Sequence, residues 1–171
     1  LIVGLGLGDG IACLPGTHSK WALVEGGRIT RFASFMTGEI WGLLRQNSIL
    51  SRLAEEPSEE GARLGLAAGF AAARRPGGLL NTAFAARSEV LAGRLPGSAV
   101  GPYLSALLVG HEIAGALALS GRHDTVHLVA EGAMAESYGA GLVAAGLTAT
   151  VTTPEAAFVA GIRRLAGAIA A

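Results

Sequence analysis

Residues 16–20 read Gly16-Thr17-His18-Ser19-Lys20 and sit between two apolar runs, IACL before and WALV after. Their types suit anion binding. A glycine lets backbone N–H groups approach closely, Thr17 and Ser19 supply hydroxyl donors, and Lys20 supplies a positive charge. A loop so equipped between strands is a cradle for phosphate; the same residues also suit a polar hairpin with a solvated lysine. A second glycine, Gly132, followed by Ala133, falls after a strand-like run and before a helical pattern. α/β folds hold ligands in the crevice beyond the carboxyl end of such a strand, although a plain tight turn has the same spacing. Thr37-Gly38-Glu39 reads first as a helix start, with Thr37 as cap and Glu39 in the positive first turn, and second as a ligand contact.

Other chemistries lack their residues. LIVGLGLGDG fails the dinucleotide fingerprint, because Asp9 stands where its third glycine belongs and Pro15 breaks the helix that should follow. His18, His111, His123 and His127 show no ligand spacing with cysteine or carboxylates, so no protein-held metal is expected. The two aspartates, Asp9 in Gly-Asp-Gly and Asp124 in His-Asp-Thr, both occupy turn contexts. Phosphoryl transfer to a hydroxyl normally uses a carboxylate beside the acceptor. Neither aspartate suits that role, and the catalytic base remains unassigned.

The elements that must position these loops belong to an α/β protein. At 171 residues the chain suits one domain, or part of one. Half of it is hydrophobic, only 5% aromatic, and 26 residues are glycine, a composition that lets backbones approach closely. Thirteen basic and thirteen acidic residues cancel, which gives no general pull towards nucleic acid or acidic lipid. The longest uncharged runs, 97–110 and 137–154, are short or glycine-broken for a bilayer span, which needs about 20 apolar residues. No signal peptide is visible, and a chain opening at Leu1 without Met is expected to start upstream. Cys13 is the single cysteine, which suits a buried residue in a reducing cytoplasm.

β-Structure is expected over IACLPG, residues 11–16, and in strands at 20–24 and 28–35, the last two joined by a turn at Glu25-Gly26-Gly27. A helix follows from Thr37 with Ile40, Leu43 and Leu44 on its buried face. Another starts at Ser58-Glu59-Glu60, carries a stripe of Leu64, Ala67, Ala68 and Ala71, and ends at Arg74-Arg75 before Pro76-Gly77-Gly78. Helices over 82–94 and 101–119 come next. The run 125–130, a helix with Met134, Tyr138, Leu142 and Ala145 on one side, and a strand over 147–151 form a βαβ unit with a right-handed crossover. Thr152 or Thr153 caps a last helix whose face is Phe158, Ile162, Leu165 and Ile169.

Four stretches together resemble a known family: LPGTHSKW, FMTGEIWGLLRQNSIL, LLVGHEIAGAL and TPEAAFVAGIRRLA. In this order, over essentially the whole chain, they are similar to the 2-dehydro-3-deoxygalactonokinases, sugar-acid kinases of the actin/hexokinase-like ATPase superfamily. The resemblance implies an α/β, ribonuclease H-like lobe with a mixed sheet flanked by helices. It implies transfer of the γ-phosphoryl group of ATP, with Mg²⁺, to the 6-hydroxyl of 2-dehydro-3-deoxygalactonate. Residues 16–20 then correspond to the second phosphate loop, and Glu131-Gly132-Ala133 to the adenosine loop, where Glu131 departs from the family's small residues. Thr37, Gly38 and Glu39 become contacts to the sugar acid or the facing lobe. The family's DxGT-type first phosphate loop and N-terminal lobe are not among these residues, so the chain matches the C-terminal lobe and is expected to be inactive alone. A non-catalytic nucleotide-binding module and a kinase for another 2-dehydro-3-deoxy acid fit the same residues, and the apolar composition leaves room for a dimer surface.

Overall fold

In the computed structural model, which describes residues 2–121 and 123–169, the chain divides into two compact units. One comprises residues 1–35 and 116–171, and the other is the continuous stretch Met36–Gly115. Only the first contains the sheet.

The first unit opens with a single helical turn, α1 (Ile2–Leu5), and three strands: β1 (Gly10–Leu14), β2 (Ser19–Glu25) and β3 (Arg28–Phe35). It resumes with β4 (Thr125–Val129), α6 (Gly132–Ala144), β5 (Thr148–Thr152) and α7 (Pro154–Ile169). The strands form one mixed sheet in the order β3-β2-β1-β4-β5. β1, β2 and β3 are antiparallel neighbours, while β1, β4 and β5 run parallel. The expected α/β class, hairpin and βαβ unit are therefore present. Gly26 and Gly27, at φ +56 and +72, make the two-residue turn whose twist suits a hairpin and which only glycine adopts freely. Central β1 carries Ile11, Ala12 and Cys13 in succession, all at 0% exposure, as a strand covered on both faces requires.

The second unit is helical: α2 (Thr37–Asn47), α3 (Glu59–Ala73), α4 (Gly78–Leu91) and most of α5 (Val100–Ser120), with short 3-10 turns at Ile49–Leu53 and Gly97–Ala99. Its core gathers Leu50, Ala72, Ala83, Ala86, Val100, Tyr103, Leu104 and Leu107. The stretch Gly97–Ser120 is long and apolar enough to cross a membrane, longer than the uncharged run suggested. Val100, Tyr103, Leu104 and Leu107 are nevertheless spent on the helical core, which accounts for the apolarity within the protein itself.

Several faces differ from expectation. Ser58 does cap α3, accepting from the Gly61 N–H at 3.0 Å. The buried side of α3, however, is Gly61, Gly65, Gly69, Phe70 and Ala72, while Ala67 and Ala71 point outward. A Cβ on Gly65 would overlap the Ala99 carbonyl, and one on Gly69 the Tyr103 carbonyl, so the glycines are where the Gly97–Ala99 turn and α5 come closest. α4 begins at Gly78 rather than near Thr82; the Pro-Gly-Gly breaker ends one helix and opens the next. Met36, not Thr37, is the N-cap of α2, with no side-chain cap bond, and Leu43 is exposed while Trp41 and Leu44 pack on the core. Met134 of α6 and Ala145 at its C-cap are exposed. In α7 the whole stripe Phe158, Ile162, Leu165 and Ile169 is exposed, and Ala157 and Gly161 are buried instead. Their partner is α1, where a Cβ on Gly4 would strike the Ala157 carbonyl.

Candidate functional site

Sheet topology brings the two glycine loops to one edge. β1 pairs with β4 in parallel register, Cys13 opposite Leu128, so both strands leave the sheet on the same side. From β1 the chain passes through residues 15–18 into β2 at Ser19; from β4 it passes Ala130 and Glu131 into α6 at Gly132. β5 joins them, since Val129 lies opposite Thr152, and α7 starts at Pro154 with Thr153 capping it through the Ala156 N–H at 3.2 Å. Carboxyl ends of three adjacent parallel strands are where open α/β sheets form their crevices.

The five residues of the first loop divide by exposure. Thr17 and His18 are exposed, and Gly16 and Lys20 are half-buried. Gly16 is required neither by a positive φ nor by packing, since a Cβ there would meet nothing within 4 Å. Its effect is to leave open space beside the backbone. Lys20 donates from Nζ to the His18 carbonyl at 2.7 Å, which holds the ammonium at the loop. Ser19 is different: at 0% exposure its hydroxyl shares a 2.8 Å hydrogen bond with the phenol of Tyr138 on α6. Ser19 thus faces inward and fastens the loop.

At the second loop Gly132 has φ +56, a backbone that L side chains rarely adopt, with nothing within 4 Å of a built Cβ. Glu131 precedes it in extended conformation and makes no side-chain cap bond to the helix. Gly132 and Ala133 are both exposed, so the first N–H groups of α6, with the positive end of its dipole, border the same edge.

The remaining candidates lie elsewhere. Thr37, Gly38 and Glu39 form the half-buried first turn of α2, in the helical unit. Asp9 accepts from the Gly26 N–H at 2.8 Å, beside a 2.7 Å bond from the Gly27 N–H to the Gly8 carbonyl, and so clasps the hairpin turn. Asp124 immediately precedes β4, and its carbonyl accepts from the Thr148 N–H at 2.9 Å. Both aspartates stand at the amino ends of their strands, the edge opposite the two glycine loops. Among the described residues no group of three or more His, Cys, Asp or Glu could hold a metal.

A cleft of about 450 Å³ opens over the hairpin, with Trp21, Leu23, Arg31, Phe32 and Leu119 among its walls, and none of its lining comes from either loop. The Arg31 guanidinium donates to the Leu119 carbonyl, which engages the one charged side chain that the described residues place in that wall. Sequence reading placed Tyr138 in an apolar stripe. The available signal was its hydroxyl, because a buried phenol almost always finds a polar partner.

Comparison with known proteins covers nearly the whole chain. Residues 2–165 match the profile of a family described as 2-keto-3-deoxy-galactonokinase. A Rhizobium meliloti (strain 1021) protein carrying the name "Probable 2-dehydro-3-deoxygalactonokinase DgoK1" is 36% identical over 169 residues, 96% of this chain and 55% of its own length. The 2-dehydro-3-deoxygalactonokinase of Escherichia coli (strain K12) is 32% identical over 157 residues, covering 92% of this chain and 53% of that protein. A crystal structure from Sinorhizobium meliloti, assigned to the same kinase, superposes with a TM-score of 0.85 at 33% identity over 98% of this chain and 58% of its own. The chain therefore spans about half the length of the curated relatives it matches.

Proposed function

The chain belongs to the 2-keto-3-deoxy-galactonokinase family, and on that premise we propose that it is the C-terminal, nucleotide-holding lobe of a kinase that phosphorylates 2-dehydro-3-deoxygalactonate on its 6-hydroxyl with ATP. One observation carries the reading. The Gly16–Lys20 loop and the Gly132 turn leave the same carboxyl edge of the sheet, from adjacent parallel strands. The strand order, three antiparallel and two parallel to the centre, supports an actin-like ATPase lobe as the finer description of the fold.

In this reading Gly16, Thr17, His18 and Lys20 face the phosphates of ATP. The backbone N–H groups and Thr17 hydroxyl donate to phosphate oxygens, and Lys20 offsets charge that builds during transfer. Ser19 contributes by fixing the loop through Tyr138. Gly132 and Ala133 border the adenosine side, and the open space at Gly132 leaves room for a base or ribose. Thr37, Gly38 and Glu39 contact the sugar acid or the facing lobe.

The described residues offer no metal cage, so the Mg²⁺ that accompanies ATP is assigned no ligand in this chain and would rest on phosphate oxygens and water. The catalytic base belongs to the remainder of a full-length kinase. This chain by itself is expected to bind nucleotide weakly and to turn over no substrate. ATP as donor suits the cytoplasm.

The test is phosphorylation by the full-length protein over a panel of 2-dehydro-3-deoxy acids, with and without Lys20→Ala. Turnover of the galactonate derivative, with KM for ATP raised or kcat lowered at least tenfold by the substitution, is expected. Unchanged kinetics would return Lys20 to a solvated hairpin residue, and no turnover of any such acid would favour a non-catalytic nucleotide-binding module.

A further inference from the structure

The buried bond between Ser19 and Tyr138 joins residues 119 positions apart and connects the two loops at the sheet edge. Ser19 is 0% exposed and Tyr138 4%. Strand pairing holds Ser19 opposite Phe35 and Lys20 opposite both Leu14 and Ser34, so the end of the loop is fixed within the sheet. Residues 15–18, between the strands, have no such ladder. On the other side, Tyr138 lies six residues beyond Gly132 in α6, about 9 Å along the axis from that residue. Long side chains in helices lean towards the N-terminus, which aims the phenol at the loop edge. The hydroxyl pair is therefore a strut between the residue flanked by His18 and Lys20 and the helix that starts at Gly132.

We propose that Ser19 and Tyr138 are a positioning pair, which sets the distance between the anion-binding loop at residues 16–20 and the first turn of α6 so that one nucleotide engages both. The proposal rests on the nucleotide-binding reading above and assigns a role to Tyr138, a residue that contacts no ligand in that reading. Tyr138 and Ser19 act through geometry: neither donates to phosphate, and losing their bond lets the loop and helix drift apart. The effect falls on ATP and leaves the sugar acid untouched.

The experiment compares Ser19→Ala, Tyr138→Phe and the double variant in the full-length kinase, with Lys20→Ala as reference. Each single variant is expected to raise KM for ATP about fivefold, the worth of one buried hydrogen bond. KM for the sugar acid should stay within twofold and the melting temperature within a few degrees. Because the Ser19–Tyr138 bond is lost in every case, the double variant should match the singles rather than multiply them. Ser19→Cys, which keeps a weak partner for the phenol, should recover part of the loss. If the singles fold poorly, the double variant, which removes both polar groups, decides alone. KM for ATP at the wild-type level in that variant, or effects that multiply, would overturn the proposal while Lys20→Ala remains impaired. Loss of the Lys20 effect as well would overturn the nucleotide-binding reading itself.

Discussion

Helices α3 and α7 bury the same kind of surface and leave very different ones behind. α3 turns Gly61, Gly65 and Gly69 inward, and α7 turns Ala157 and Gly161 inward. In both, backbone meets backbone: α3 against the 3-10 turn at the Ala99 carbonyl and α5 at the Tyr103 carbonyl, α7 against α1 through Gly4. What remains outside α3 is alanine and charge, including the Glu60–Arg63 pair. What remains outside α7 is Phe158, Ile162, Leu165 and Ile169, each more than half exposed. Close approach is thus decided by the smallest residues. Large apolar residues follow it in one helix, where Phe70 is buried, and not in the other.

The sharpest way to break this comparison is to add one methyl group. Gly65→Ala drives a Cβ into the Ala99 carbonyl and the Pro102 ring, neither of which can swing aside. It should cost about 3 kcal/mol, the upper range for overpacking, read from the urea midpoint. A loss near zero would mean that α3 and α5 do not touch at the glycines. Gly4→Ala makes the same clash in α7's partner, but a single-turn helix can lift away, so about 1–2 kcal/mol is expected. A penalty equal to that of Gly65 would show α1 to be as firmly held as α5.

Phe158→Ser tests the outer side of α7 and should change the stability of this chain by less than about 0.5 kcal/mol. A fall above about 2 kcal/mol would show that the stripe is covered in solution. The smallest effect belongs to the charged rim of the helical unit. Arg94 holds the Glu89 carboxyl below the ordinary carboxylate range, first through its hydrogen bonds at 2.6 and 3.0 Å. The folded value is lowered, so the stabilisation is present above the unfolded carboxylate pKa and fades as pH falls through the folded one. Glu89→Gln should lower the melting temperature slightly at neutral pH, by about a degree, and not at all in strong acid. An equal deficit at both would exclude the ion pair as its cause.

Local chemistry was legible where a few adjacent residues decide the outcome. The Gly26-Gly27 turn, the Ser58 cap and the β4-α6-β5 unit follow from short patterns, and the structure has them. The Gly16–Lys20 and Gly132 loops were visible as glycines beside strands, but their meeting at one edge depends on β1 pairing with β4 across more than a hundred residues. Helix faces were misread for a physical reason. Periodicity weights large apolar side chains, whereas α3 and α7 are placed by glycines that carry no hydrophobic signal. The partner of Ser19 was equally hidden, because a hydroxyl in a polar cluster looks outward until the fold supplies a phenol behind it.

The central strand β1 has one antiparallel neighbour, β2, close in sequence and one parallel neighbour, β4, far from it. All of Met36–Gly115 lies between them in the chain. During synthesis the hairpin can close as soon as residue 35 is available, while the other half of the sheet must wait for some ninety further residues. Closing that long loop costs entropy that the helical stretch can lessen by compacting first. The nascent hairpin meanwhile presents the bare edge of β1, with Ile11 and Cys13, to whatever it meets. Order of emergence from the ribosome therefore leaves the seam between β1 and β4 open long after the hairpin beside it has closed.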